Sequence, residues 1–253
     1  MRLALASNPV KNRNIPFNLQ SMINAMEKCG GRADLILFGE SVLQGFNSLC
    51  WDYEVDKPMA VSLADGPIRR MCQAAKKNAI AVCFGFIERV DDALYSSQIF
   101  IGANGEIVDV FHRVSAGWKE YWQTDGHYRE GQHFEKFIYD GKSFAVGLCG
   151  DLWTDGRPEE MKALRPDIVL WPVWCDYGPT EWNEKIKYEY AEQAALCGQD
   201  VFLVNPYCAD PHGDGCAAGG SVYFRGGKIA AELPAGTAGI LIADTDSEKK
   251  FLW

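Results

Sequence analysis

The unbroken apolar run Leu35-Ile36-Leu37-Phe38 constrains the fold of this chain more than any other feature. A strand with one wet face alternates apolar and polar residues, whereas a strand apolar at every position needs cover on both faces. The run closes a strand expected over Ala33–Phe38, and Ile168–Pro172 reads as a second short buried strand. Between such strands the spacing turns helical. Leu19, Met22, Ile23 and Met26 share one face of a helix expected over Phe17–Cys29 and stopped by Gly30-Gly31, and Pro67–Asn78 reads as a helix with an early proline. Further strands are expected at Leu3–Ser7, Ile80–Glu88, Phe144–Cys149 and Val201–Asn205. Hairpins are expected around Asn104-Gly105 and around Gly226-Gly227. Mixed βα units and hairpins, with no linker or composition break, imply helices layered over sheets, an α/β fold.

Charge narrows the partners. With 25 Lys and Arg against 34 Asp and Glu, the 253-residue chain carries a formal −9. That balance argues against nucleic acid and against an anionic membrane surface, both of which attract basic patches. No apolar run approaches the roughly 18 residues of a spanning helix, and the N-terminal stretch reads as a strand, not a signal peptide. Nine cysteines contain no C-x-x-C pair, and the histidines His112, His127, His133 and His212 lack H-x-x-x-H spacing. Dispersed, odd-numbered thiols suit a reducing compartment, so a cytoplasmic protein without a metal site, acting on a small molecule, is expected.

Two strand ends deliver reactive side chains, and open α/β sheets place their sites at such ends. Cys149 follows Ala145-Val146-Gly147-Leu148 and precedes Gly150-Asp151, a turn expected to open a helix whose backbone N–H groups face any oxyanion formed at the thiol. Glu40 follows Leu35–Phe38 and is a candidate general base. Each has an ordinary reading too: Cys149 as one of nine small buried thiols, Glu40 as a salt-bridged loop carboxylate.

Leu35-Ile36-Leu37-Phe38-Gly39-Glu40, with Gly45-Phe46 downstream, resembles the first signature of the nitrilase (carbon–nitrogen hydrolase) superfamily, although Gly39 stands where proline is usual. Val146-Gly147-Leu148-Cys149-Gly150-Asp151 resembles its nucleophile signature, Gly-x-x-Cys-x-Asp, and Asn205-Pro206 and Gly219-Gly220-Ser221 match later landmarks. The resemblance covers nearly the whole chain. It implies a nitrilase-like four-layer α-β-β-α sandwich, one domain over residues 1–253, and a homodimer formed by helix packing, for which Trp182–Cys197 is a candidate face or, equally, core.

The resemblance also assigns roles. Glu40 becomes the base and Cys149 the nucleophile. The lysine that holds the oxyanion is replaced by Arg113 in Val110-Phe111-His112-Arg113, with Lys119 as the substitute cation. A guanidinium keeps the charge but is planar, bulkier and never deprotonated, so the exchange is not conservative. The supporting second acid is Glu120 by spacing, with Asp125 as the fallback. Trp153 stands where an arginine is usual, in a segment longer than the family pattern. Gly150, Trp153, Trp174 and Asp176 are candidate substrate contacts, Trp174 being a pocket wall or core and Asp176 a reader of substrate cations or a helix cap. Trp118, Tyr121 and Trp122 are pocket, core or interface aromatics. The chemistry implied is acyl transfer to water from a small linear amide or N-carbamoyl compound, without cofactor; a catalytically impaired binding protein on the same scaffold is the alternative.

Overall fold

A computed structural model describes residues 1–210, 215–246 and 250–252; His212 lies outside them. Two sheets carry the fold. The first has seven strands in the spatial order Lys250–Leu252, Gly239–Asp244, Arg2–Ser7, Leu35–Phe38, Ala81–Val90, Ala93–Ile101, Ile107–His112. The second has six, in the order Lys228–Leu233, Ser221–Arg225, Asp200–Val204, Ile168–Pro172, Lys142–Val146, Lys136–Tyr139. Each sheet is parallel at its centre and antiparallel toward its edges. Arg2–Ser7, Leu35–Phe38 and Ala81–Val90 run parallel in one, and Lys142–Val146, Ile168–Pro172 and Asp200–Val204 in the other.

The sheets pack face to face. Leu3, Leu5, Leu35, Leu37 and Phe100 of the first sheet share one core with Phe144, Leu170 and Phe202 of the second. The alternate residues Ala4, Ala6, Ile36, Phe38, Val82 and Phe84 point the other way, onto Leu19, Met22 and Met26 of helix Ile15–Cys29 and Ile68 and Met71 of helix Gly66–Asn78. Helices Arg157–Leu164 and Lys187–Cys197 cover the outer face of the second sheet with Met161, Ala191 and Ala194. The layers are thus helix, sheet, sheet, helix, as the unbroken apolar strands require. Each fully buried Leu, Ile or Phe contributes about 1.5–3 kcal/mol, which is why residues 35–38, all fully buried, fix this strand at the sheet centre.

Some boundaries differ from the sequence expectation. The strand before Cys149 ends at Val146, and Cys149 itself opens a short 3-10 helix, Cys149–Trp153. Ala81–Val90 and Ala93–Ile101 form one long hairpin through Asp91, which adopts φ 54°. The candidate dimer face is divided: Trp182 and Tyr190 are core, whereas Tyr188 and Leu196 are about half exposed. No helix among the described residues is long and apolar enough to cross a membrane.

Candidate active site

The packing of the two sheets brings the loops after Leu35–Phe38, Ile107–His112 and Lys142–Val146 to one place. Glu40 leaves the Leu35–Phe38 strand and is clamped from both sides. Its N–H donates to the Val173 carbonyl at 3.2 Å, and Gly85 of the neighbouring strand donates to the Gly39 carbonyl at 3.1 Å. Both glycines are needed for this approach: a Cβ on Gly85 would lie 2.4 Å from the Ser41 nitrogen, and one on Gly39 2.5 Å from the Pro206 ring. The departure from proline at position 39 is therefore matched by Pro206, which occupies the space.

Arg113 follows the strand Ile107–His112 and reaches Glu40. Its Nη1 donates to Glu40 Oε1 at 2.7 Å, and its Nε donates to Ser115 Oγ at 3.0 Å and lies 3.9 Å from Asp151 Oδ1. Glu40 is fully buried and Arg113 only 3% exposed. The Ser96 hydroxyl also donates to Glu40 Oε1, at 3.2 Å, whereas the buried Oε2 has no hydrogen-bond partner among the described residues. Nη2 of Arg113 likewise donates to no described residue; it lies against Gly150, where a Cβ would sit 2.7 Å away. Burial works against the guanidinium charge, but Glu40, Cys149 and Asp151 outweigh it and raise the Arg113 pKa, so it is a fixed cation.

Cys149 is half-buried and has φ 50°, a left-handed backbone that is uncommon outside glycine and concentrates at functional turns. Its thiol donates a long hydrogen bond to the Trp174 carbonyl, at 3.8 Å, and its own carbonyl accepts from the Trp171 indole at 2.9 Å. The neighbouring Cys175 thiol, burial and the Glu40 charge hold the Cys149 thiol well above its ordinary value, with Arg113 pulling the other way. The resting sulfur is therefore protonated, and a nucleophile here needs a base.

Asp151 ties these loops together. One carboxylate oxygen accepts the backbone N–H groups of Val114 and Ser115 at 3.1 and 2.7 Å, and the other accepts that of Leu148 at 3.0 Å. The cation loop and the thiol loop are thus held by one side chain. Burial pushes Asp151 up to about 6, against the lowering pull of Arg113 and of its hydrogen bonds from Ser115. In the sequence Asp151 stands out only by its position two residues after Cys149.

The other expected residues fall into two groups. Trp174 is buried, stacks on Phe46 at 5.8 Å and sets its carbonyl against Cys149. Trp153 is 43% exposed and meets the Tyr190 ring edge-on at 5.0 Å. Lys119 turns away from Glu40: its ammonium pairs with Glu130 at 2.7 Å and donates to the Tyr128 carbonyl at 2.6 Å. Among the described residues no hydrogen bond or ion pair joins the Glu120 carboxylate to Glu40, Arg113 or Cys149. Glu120 lines a 210 Å³ cavity with Phe46, Trp51, Gly117 and Trp118. Asp125 is exposed and bonds His127. Asp176 is exposed, and the cap of the next helical turn is Gly178, so Asp176 is not that cap. Trp118 is core, whereas Tyr121 and Trp122 are 63% and 80% exposed. No cluster of three or more His, Cys, Asp or Glu among the described residues is arranged to hold a metal ion.

Comparison with known proteins gives a consistent picture. A family model described as carbon-nitrogen hydrolase matches residues 2–250. The chain is similar to an arylacetonitrilase of Aspergillus niger, 34% identical over 250 residues, 87% of this chain and 72% of that protein. It is also similar to an (R)-stereoselective amidase of a Pseudomonas species, 24% identical over 67% of this chain. The chain spans 59% of that amidase's length. Its fold matches the structure of an amidase of the nitrilase superfamily from Nesterenkonia, with a TM-score of 0.73 and 18% identity, covering 96% of this chain and 90% of that one.

Proposed function

The chain belongs to the carbon-nitrogen hydrolase family, and we propose that it hydrolyses a small linear amide or N-carbamoyl compound through a thioester on Cys149. One observation carries this reading. Glu40 Oε1 is occupied by Arg113 and Ser96, while Oε2 is buried and has no partner among the described residues, and the Glu40 charge raises the Cys149 thiol pKa. A base with one oxygen anchored and one free is oriented for a single proton transfer.

The steps follow from the donors present. Glu40 Oε2 takes the thiol proton as sulfur bonds to the substrate carbon, and the carbonyl π electrons move onto oxygen. Arg113 Nη2 and the backbone N–H following Cys149 stabilise that oxyanion. The C–N bond then breaks, and Glu40 returns its proton to the leaving ammonia or amine. Water next loses a proton to Glu40 as its oxygen bonds to the thioester carbon; the C–S bond breaks, and the thiolate is reprotonated.

A second reading, a binding or regulatory protein without turnover, is favoured by the 2.7 Å contact between Arg113 and Glu40, because a permanent cation draws on the charge of the base. Incubation with a panel of linear amides and carbamoyl compounds separates the two. Ammonia release that disappears in Cys149→Ala supports the hydrolase; a folded protein that releases none across the panel supports the binder.

A further inference from the structure

Arg113 is larger than the residue its role calls for, and something must make room for it. Nη2 lies between two glycines: a Cβ on Gly150 would be 2.7 Å from it, and a Cβ on Gly117 3.2 Å. Neither glycine has a positive φ, so backbone conformation does not account for either one. What both lack is the volume of a methyl group.

We infer that Gly150 and Gly117 are positioning residues, forming a slot that admits the second guanidinium nitrogen and so lets an arginine serve as the oxyanion donor. The inference rests on the proposed hydrolase reading for its catalytic consequence. Its geometric part stands alone. The three guanidinium nitrogens share one rigid plane. Nη1 is held by Glu40 at 2.7 Å and Nε by Ser115 at 3.0 Å, so Nη2 cannot yield to a methyl group at Gly150 without drawing Nη1 away from the base. A lysine at this position has no second nitrogen to place there, and the slot would stand empty. Position 150 is thus coupled to the identity of residue 113, through space and not through the chain.

The test is a double-mutant cycle over the native chain, Gly150→Ala, Arg113→Lys and the combined variant, each verified as folded by near-ultraviolet circular dichroism. Two readouts are taken: kcat and KM for ammonia release from a simple amide, and the pH profile of Cys149 alkylation by iodoacetamide. With arginine at 113, Gly150→Ala should lower kcat at least about tenfold with a smaller change in KM, as a displaced oxyanion donor does. It should also move the alkylation profile to higher pH, because Arg113 no longer lowers the thiol pKa. In the Arg113→Lys background the same substitution should cost about tenfold less and leave the profile in place. An equal cost and an equal shift in both backgrounds overturn the inference. If no variant hydrolyses any amide, the hydrolase reading fails, and the alkylation profile still decides the slot: a shift confined to the arginine background supports it, and no shift overturns it. Should Gly150→Ala not fold, Gly117→Ala enters the same cycle, with a smaller displacement in the same direction expected from its longer contact.

Discussion

Replacing Glu40 by glutamine should move two properties of the site in opposite directions. The amide keeps a carbonyl oxygen for Arg113 Nη1 but removes the charge and the basic lone pair. Loss of a general base costs roughly 10²–10⁴ in rate, or about 3–6 kcal/mol at ~1.4 kcal/mol per decade. Ammonia release should fall by that factor. The thiol should respond differently. Glu40 raises the Cys149 pKa and Arg113 lowers it, so neutralising Glu40 leaves the lowering influence unopposed. More thiolate is then present at neutral pH, and alkylation of Cys149 by iodoacetamide should hold or accelerate. Stability sets the limit of the experiment, since breaking a buried ion pair costs about 3–5 kcal/mol. Asp151, 3.9 Å from Nε, continues to offset the Arg113 charge, so glutamine is preferred to alanine. Turnover within a few-fold of the native chain would refute the assignment of the base. A parallel fall of turnover and alkylation would refute the charge balance drawn around the thiol.

Three further outcomes follow from named contacts. The Asp151 pKa is raised in the fold to about 6, so the folded state binds the proton more tightly than the unfolded one, and the contribution of Asp151 to stability declines as pH rises from about 4 to 6. The stability cost of Asp151→Asn, measured by urea unfolding, should therefore shrink across that interval; a constant or growing cost contradicts the buried, proton-retaining carboxylate. In the native chain the raised Cys149 thiol predicts alkylation that climbs beyond the ordinary cysteine range without a plateau near pH 7, and such a plateau would contradict it. Tyr188 and Leu196 leave an apolar surface on the outer helix, and light scattering should give twice the chain mass; a monomer at micromolar concentration argues against a dimer through that face.

The layered fold was legible because residues 35–38 and 168–172 admit no wet face, and the hairpin at Asn104-Gly105 carries its own turn chemistry. The Asp91-Asp92 turn was harder to read, since two aspartates lack the glycine that marks a tight hairpin. The edge strand Lys136–Tyr139 was missed for a related reason: its side chains are half-buried or exposed and show no apolar run. Within the site, Glu40 and Cys149 were legible as polar side chains placed shortly after buried strands. Glu120 was placed by counting along an irregular loop, where spacing does not fix direction, and the cavity it lines adjoins Gly117 without a bond from its carboxylate to the site. The tie made by Asp151 and the contact of Gly150 with Arg113 do not show in the sequence because their partners, Val114, Ser115 and Arg113, come from a loop more than thirty residues away. Such pairings exist only once the two sheets have packed.

The most direct measurement is the mass of the protein quenched during turnover of a reactive small amide, followed by mapping of the modified peptide. Acylation at Cys149, and at none of the other eight cysteines, with loss of the adduct in Cys149→Ala and its appearance slowed in Glu40→Gln, is the expected result. Ammonia released at full rate while the acyl group resides on another residue, or on none, would contradict it.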